Sequence, residues 1–269
     1  MHKNFLSVTL VGMVHIPLSA TIITLNEETN IARAINSVSW ADEVIVVDSG
    51  STDKTVEIAE KLGAKVMQNP WPGYGQQKNF AQNSVKHDWV INIDADEEVS
   101  PALAKEITES LYAVADGRIS AHGFEFSRKT SYVGQWIHHG GWYPNYLVRL
   151  ADRRFAKWTE PNVHEVLIVR GQVKRLNGEL FHFAFNTIEE QVLTNLRFSK
   201  LGALDLECLG RRPSILMLFL KPLGKFLETY ILKRGFLDGI AGLIISVNAA
   251  HSIFLKYAYQ FEKKIKGKK

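Results

Sequence analysis

The chain has one cysteine in 269 residues, Cys208, which excludes an internal disulfide and leaves nothing to tie the protein to an oxidising compartment. A reduced, cytosolic setting is the expectation. Two phosphate-binding signatures are also missing. No strand-like run is followed by Gly-x-Gly-x-x-Gly or by Gly-x-x-x-x-Gly-Lys-Ser/Thr, so neither a dinucleotide fingerprint nor a phosphate loop is available. Any bound phosphate therefore needs another counter-charge. Long uninterrupted apolar runs are lacking as well. Lys221 and Pro222 break "SILMLFLKPLGKFLETYILKRGF", and Asp238, Asn248 and His251 punctuate the region around "LIISVNAAHSIFLKYAY", so neither is expected to cross a membrane.

What is present suits a globular chain with an ample core: 46% of residues are hydrophobic and 22% charged. The net charge of +4 is unevenly spread. Twelve of the 32 Lys and Arg lie beyond Cys208 against three acids, so residues 209–269 carry +9 and residues 1–208 carry −5. Cations interleaved with long aliphatic segments, rather than with scattered aromatics, point to an anionic membrane surface and away from nucleic acid. Amphipathic helices lying on a bilayer are expected there, with Lys and Arg reaching the headgroups. At the other end, "MHKNFLSVTLVGMVHIP" superficially suits a signal peptide but offers no convincing small-residue cleavage site. Residues 1–17 are read as an extension of undefined role.

From Leu18 the chain alternates between two periods. "LSATIITLNEE" is an apolar β-rich run followed by "NIARAINSV", where Ile31, Ile35 and Val38 share a helical face. "EVIVVDSGSTDKTVEIAEKLG" repeats the pattern, "AKVMQ" and "WVINID" add strands around a helix at "QQKNFAQNSVK", and Ser100 with Pro101 suits the start of a helix over 101–115. Such alternation predicts a parallel sheet whose ligands gather beyond the carboxyl ends of its strands. Thr24 to Glu27, Asp48 to Gly50 and Asp94 to Asp96 all fall at that edge. Asp94 and Asp96 place hard oxygen ligands where Mg2+ or Mn2+ can bridge a diphosphate. Glu97 and Glu98 are expected to begin the next helix, where negative charge meets its dipole. Asp53 is read as a cap for the helix after it.

Together "TIITLNEETNIARAINSV", "VIVVDSGSTDKT", "GYGQQKNFA" and "INIDADEEV" resemble an inverting family 2 glycosyltransferase of the GT-A fold. "GGWYPNYLVRL", "VHE", "LNGELFHF" and "RGFLDGIAGL" resemble one branch, the lipopolysaccharide core glycosyltransferases that include the glucosyltransferase acting on inner-core heptose. The resemblance implies a Rossmann-like, mostly parallel sheet with flanking helices. It also implies that Thr24, Asn26, Glu27, Asp48 and Lys78 bind the nucleotide sugar with Asp94 and Asp96, and that Asp96 and Asp94 hold the metal.

Inversion by direct displacement needs a general base that is not a metal ligand. Glu165 in "EPNVHEVLIV" is the leading candidate, and His164, Asp152 and Glu160 remain open. His182 in "LFHF" could complete the metal shell through a neutral ring nitrogen. Trp136, Trp142 and Tyr143 suit sugar faces, while His138, His139 and Arg149 suit anionic groups of an acceptor.

The chain is thus expected to divide into an extension (1–17), a GT-A domain (18–208, with a nucleotide-sugar half at 18–115 and an acceptor half at 116–208) and a basic amphipathic helical region (209–269). The expected activity is metal-dependent transfer of a hexose, glucose in the first instance, from a UDP-sugar to a lipid-linked saccharide, at the cytoplasmic face of the inner membrane. Polyprenyl phosphate or a capsule or teichoic-type acceptor is the alternative within that class. A nucleotidyltransferase and a non-enzymatic anionic-lipid-binding module are the readings outside it.

Overall fold

The computed structural model describes residues 15–160, 165–212 and 214–266, apart from the side chains of Lys263 and Lys264. Two compact units emerge, both discontinuous in sequence: residues 1–126 with 147–179, and residues 127–146 with 180–269. The divisions expected at 115/116 and 208/209 fall at the ends of two helices, α4 and α5 below.

The first unit begins with β1 (Leu18–Thr24), whose seven residues are all buried. Its β-branched run suits a strand covered on both faces. There follow α1 (Ile31–Ser37), β2 (Glu43–Asp48), α2 (Thr55–Lys61), β3 (Lys65–Gln68), α3 (Tyr74–Asn83), β4 (Trp89–Asp94), β5 (Glu97–Val99) and α4 (Pro101–Ala115). β1 pairs in parallel with both β2 and β4, and β2 with β3, as the alternation predicts. Ser100 caps α4 by accepting from Leu103 N at 3.2 Å, with Pro101 in the first turn.

Three strands, β6 (Gly123–Tyr132), β8 (Asn145–Asp152) and β11 (Val173–Phe185), run through both units; β7 (Gln135–Trp136) pairs with β6. The strand order is β3-β2-β1-β4-β8-β6-β11-β5, and β8 meets β4 antiparallel with Ile91 opposite Leu150. β9 (Ala156–Trp158) and β10 (Leu167–Val169) form a separate antiparallel pair. Glu97 and Glu98 therefore do not open a helix. They lie in β5, before the Ser100 cap, because Glu97 turns inward to an arginine rather than outward to a helix end.

The second unit adds α5 (Ile188–Cys208), α6 (Ile215–Phe226), a π-helical turn (Leu227–Leu232), a 3-10 turn (Gly235–Asp238) and α7 (Gly239–Lys266). Thr187 caps α5 through Glu190 N at 3.1 Å, while the Glu190 carboxylate accepts from Asn186 N at 2.7 Å. Tyr132, Ile137 and Ile245 form a core here, with Trp142 and Phe185 packed against it. The segment Gly235–Glu262, which takes in the 3-10 turn and most of α7, is long and apolar enough, by length and composition only, to cross a membrane.

Candidate active site

The parallel register sets the edge. Thr24 lies opposite Asp48, and Ile23 opposite Asp94, so the ends of β1, β2 and β4 are level. Two loops are then laced together beyond them. Asn26 adopts φ +55°, and its Oδ1 accepts from Thr52 N at 2.8 Å while its own N–H donates to Ser51 Oγ at 2.8 Å. Glu27 N donates to Thr55 Oγ1 at 2.7 Å, and Asp53 accepts from Thr55 N and from Glu28 N. The small polar residues of "GSTDKT" thus satisfy the backbone of the neighbouring loop.

Asp48 is fully buried. One of its oxygens accepts from Gly50 N and Ser51 N, both at 2.9 Å, and the other from the Ser51 hydroxyl, so this carboxylate organises its own loop. Thr24 Oγ1, by contrast, is buried with no hydrogen-bond partner among the described residues. An orphan hydroxyl at the carboxyl edge is a place for a ligand atom. Gln77, which the sequence did not single out, is fully buried and links Ser49 Oγ (3.0 Å) to the Asn69 side chain (2.6 Å).

Beside this lattice lies a compact charge cluster. Lys78 Nζ is 3.0 Å from Asp94 Oδ1 and 2.7 Å from Glu165 Oε1. Arg149 Nη2 is 2.9 Å from Asp94 Oδ2 and 3.1 Å from Glu97 Oε1, and Glu97 also accepts from Asp94 N at 2.9 Å. Trp158 presents its ring to both cations, 4.7 Å from Lys78 Nζ and 5.5 Å from the Arg149 guanidinium carbon. Burial alone would lift the Asp94 carboxyl, but the charges of Lys78 and Arg149 outweigh it and hold Asp94 well below the usual carboxylate range. Burial likewise works against the charged guanidinium, and Glu97 and Asp94 reverse it, raising Arg149. Glu27 is raised, first by burial, against the Asn30 hydrogen bond, and further by the charges of Asp96 and Asp53.

Arg149 belongs to this cluster in the first unit rather than to the aromatic group of the acceptor half, because β8 carries it to the side of β4. Glu97 and Trp158 complete the cluster although neither was expected. A carboxylate and an indole have no local signature when their partners lie 52 and 80 residues away. The alternative bases are both engaged: Asp152 accepts from Arg154 Nη2 at 2.6 Å, and Glu160 from Asn79 Nδ2 at 2.9 Å. His164 lies outside the described residues.

In the second unit Trp136 packs against Phe181 and Phe183, with ring centroids 5.0 and 5.5 Å away, and Lys129 Nζ sits 5.8 Å from its ring. His138 meets Tyr143 edge-on at 5.8 Å. His139 Nδ1 donates to Asp238 Oδ1 at 3.0 Å, and the backbone N–H groups of His138 and His139 donate to the same carboxylate. Trp142 packs edge-on against Tyr132 in the core of that unit. His182 Nδ1 lies 3.3 Å from Thr130 Oγ1.

Among the described residues no group of three or more His, Cys, Asp or Glu side chains is gathered to hold a metal, His182 included. The donor chemistry at the sheet edge nevertheless fits a hard divalent cation shared with substrate. Asp94 is neutralised by Lys78 and Arg149, and the charge of Asp96 contributes to raising Glu27. Mg2+ sites commonly use one or two carboxylates and take their remaining oxygens from phosphate and water.

Comparison with known proteins gives the family. Residues 19–165 match the profile described as Glycosyl transferase family 2, a span that ends at Glu165. An uncharacterized glycosyltransferase of Rickettsia conorii is 36% identical over 267 residues, covering 93% of this chain and 92% of its own. The lipopolysaccharide core biosynthesis glycosyltransferase LpsC of Rhizobium meliloti is 31% identical over 260 residues, covering 92% and 93%. The low-salt glycan biosynthesis hexosyltransferase Agl6 of Haloferax volcanii is 42% identical over 86 residues, 29% of this chain and 21% of its own.

Proposed function

The chain belongs to glycosyl transferase family 2, and from that premise we propose that it transfers a hexose, glucose in the first instance, from a UDP-sugar to a lipid-linked saccharide of the lipopolysaccharide inner core, with inversion. The observation that carries this reading is Lys78, which bridges Asp94 of the Asp-x-Asp pair and Glu165 at the end of the family match. Nucleotide site, counter-charge and candidate base are held in one ionic cluster. The likeness to LpsC along most of both chains supports the acceptor class.

On this reading Thr24, Asn26 and Glu27 line the nucleotide, with Asp48 fixing the loop that follows β2. Asp96, with diphosphate oxygens, would hold Mg2+ or Mn2+. The bound cation would supply positive charge to the departing nucleoside diphosphate. Lys78 and Arg149 add fixed charge on the same side of the sheet and orient Asp94. Glu165 takes the proton from the acceptor hydroxyl, and Lys78 sets the direction of its carboxylate. Trp136, Tyr143, His138 and His139 contribute to acceptor recognition, Trp136 through an aromatic face built with Phe181 and Phe183. A lipid-linked acceptor places the enzyme peripherally at the cytoplasmic face of the inner membrane.

An acceptor panel tests the proposal. Radiolabelled hexose from UDP-glucose should pass to deacylated heptose-containing inner core and not to polyprenyl phosphate or a teichoic-type chain. Transfer to polyprenyl phosphate alone would replace the acceptor assignment, and release of pyrophosphate would replace the reaction class.

A further inference from the structure

The surface after Cys208 has an unusual composition for a folded chain in water. Not one of the twelve residues of α6 is buried. Ile215, Leu216, Phe219, Leu220 and Leu223 are 53–68% exposed, and Leu232 and Ile240 beyond them are each 77% exposed. Exposed apolar patches of this kind mark an interaction surface.

The charges around that surface are of one sign. Lys221 and Lys225 lie within α6, Arg211 and Arg212 precede it, and Lys233 and Arg234 follow. The one acid in the same stretch, Glu228, is taken by Lys225 at 3.2 Å and by Lys233 at 2.5 Å. A protein partner could match the apolar face alone; apolar residues bordered by an excess of cations, six against the single acid Glu228 over residues 211–234, match an anionic bilayer, whose headgroups meet the cations while its acyl region meets the aliphatic side chains.

Length and packing decide between crossing the bilayer and lying in it. A helix needs about 20 apolar residues to span the hydrocarbon, and α6 has 12, with Pro222 among them. α7 is long enough, but one of its faces is committed to α5. Asn248 Nδ2 donates to Gln191 Oε1 at 2.5 Å, Ser199 Oγ donates to Ser252 O at 2.9 Å, and Gly202 of α5 lets the Lys256 stem approach closely. α5 carries Glu189, Glu190, Arg197, Lys200, Asp205 and Glu207. Spanning by α7 would either bring those charges into hydrocarbon or break the polar seam.

We propose that α6 and the turn after it form a one-leaflet insertion surface for an anionic phospholipid bilayer, with Leu216, Phe219 and Leu223 entering the acyl boundary and Lys221 and Lys225 meeting the headgroups. The inference deepens the peripheral-membrane part of the proposed function and rests on it for its biological sense. Vesicle binding is nevertheless measured with no sugar or acceptor present, so it succeeds or fails independently of the transfer reaction.

The full chain should co-sediment with phosphatidylcholine–phosphatidylglycerol vesicles and much less with phosphatidylcholine alone. The variant Leu216→Glu/Phe219→Glu/Leu223→Glu should lose binding by at least about tenfold, with an unchanged circular dichroism spectrum because the three side chains are exposed. Lys221→Glu/Lys225→Glu should lose preference for the anionic vesicles. Phe219→Trp should be quenched by lipids brominated near the headgroup more than by lipids brominated at the chain ends. Undiminished vesicle binding by the triple variant would overturn the proposal. So would stronger quenching from the chain ends, or a stable dimer in solution that the triple variant dissociates, which would show a second copy covering this face.

Discussion

Lys78 Nζ donates to Glu165 Oε1 across 2.7 Å, although the two residues are 87 positions apart. The contact joins the helix after β3 to the segment before β10, and it gives the candidate base one fixed orientation. Glu165→Gln preserves shape and removes proton affinity. It should lower kcat by about 10²–10⁴-fold with little change in KM for the nucleotide sugar. Lys78→Met should affect both constants, since it also removes charge beside Asp94. Steady-state kinetics on the two variants separates the roles; an unchanged kcat for Glu165→Gln would move the base elsewhere.

Arg149 has the opposite emphasis. Glu97 is fully buried and Arg149 is 4% exposed, so each depends on the other. Arg149→Met removes the cation that balances the buried Glu97 carboxylate, leaving it the Asp94 N–H, and should cost roughly 3–5 kcal/mol of stability. Arg149→Met combined with Glu97→Gln should recover much of that loss. Urea denaturation of the single and double variants checks both statements, and a single-variant loss below about 1 kcal/mol would show that Glu97 is satisfied without the arginine.

Asp94 makes the fold sensitive to acid in a defined direction. Its carboxyl lies well below the usual range in the folded chain, against burial, because of Lys78 and Arg149. An unfolded aspartate titrates at about 3.9, so below that pH the unfolded chain binds the extra proton. The Asp94 contribution is therefore complete above that value and is lost as the pH falls further. Asp94→Asn should lower stability at neutral pH and flatten its dependence on pH below about 4, as read from urea midpoints across that range.

The position of Lys78 depends in turn on a glycine. A Cβ on Gly75 would lie 1.9 Å from the Thr159 carbonyl oxygen, an approach no side chain permits. Gly75→Ala must push α3 away from the segment that follows β9, and Lys78 lies one helical turn further along α3. A loss of about 1–3 kcal/mol is expected, together with a fall in transfer activity larger than a neutral surface substitution on α3 would cause. A thermal melt and a rate for Gly75→Ala beside Gln76→Ala would show whether the close approach matters.

The parallel half of the sheet was legible because its signals are local. Each strand is a short β-branched run, each helix has its own period, and Ser100 with Pro101 announces α4. The shared edge of Thr24, Asp48 and Asp94 follows from that alternation. The cluster was less legible because its members meet through β8, an antiparallel strand whose register against β4 depends on the whole sheet. Arg149 therefore reads as an acceptor contact in sequence and stands beside Asp94 in the fold. Glu97 reads as the start of a helix because acids before an apolar run usually are, and its ion pair to Arg149 overrides that preference. In α7, Asn248 reads as an interruption of an apolar run, whereas in three dimensions it is part of a polar seam with α5.

Release of UDP from UDP-glucose by the purified full chain tests the central claim most directly, measured with deacylated inner core as acceptor, with and without Mn2+ or Mg2+, and beside Asp96→Asn. The account predicts release that requires the divalent cation and falls by at least about a hundredfold in the variant. Release that is equal without the cation and undiminished by Asp96→Asn would contradict it.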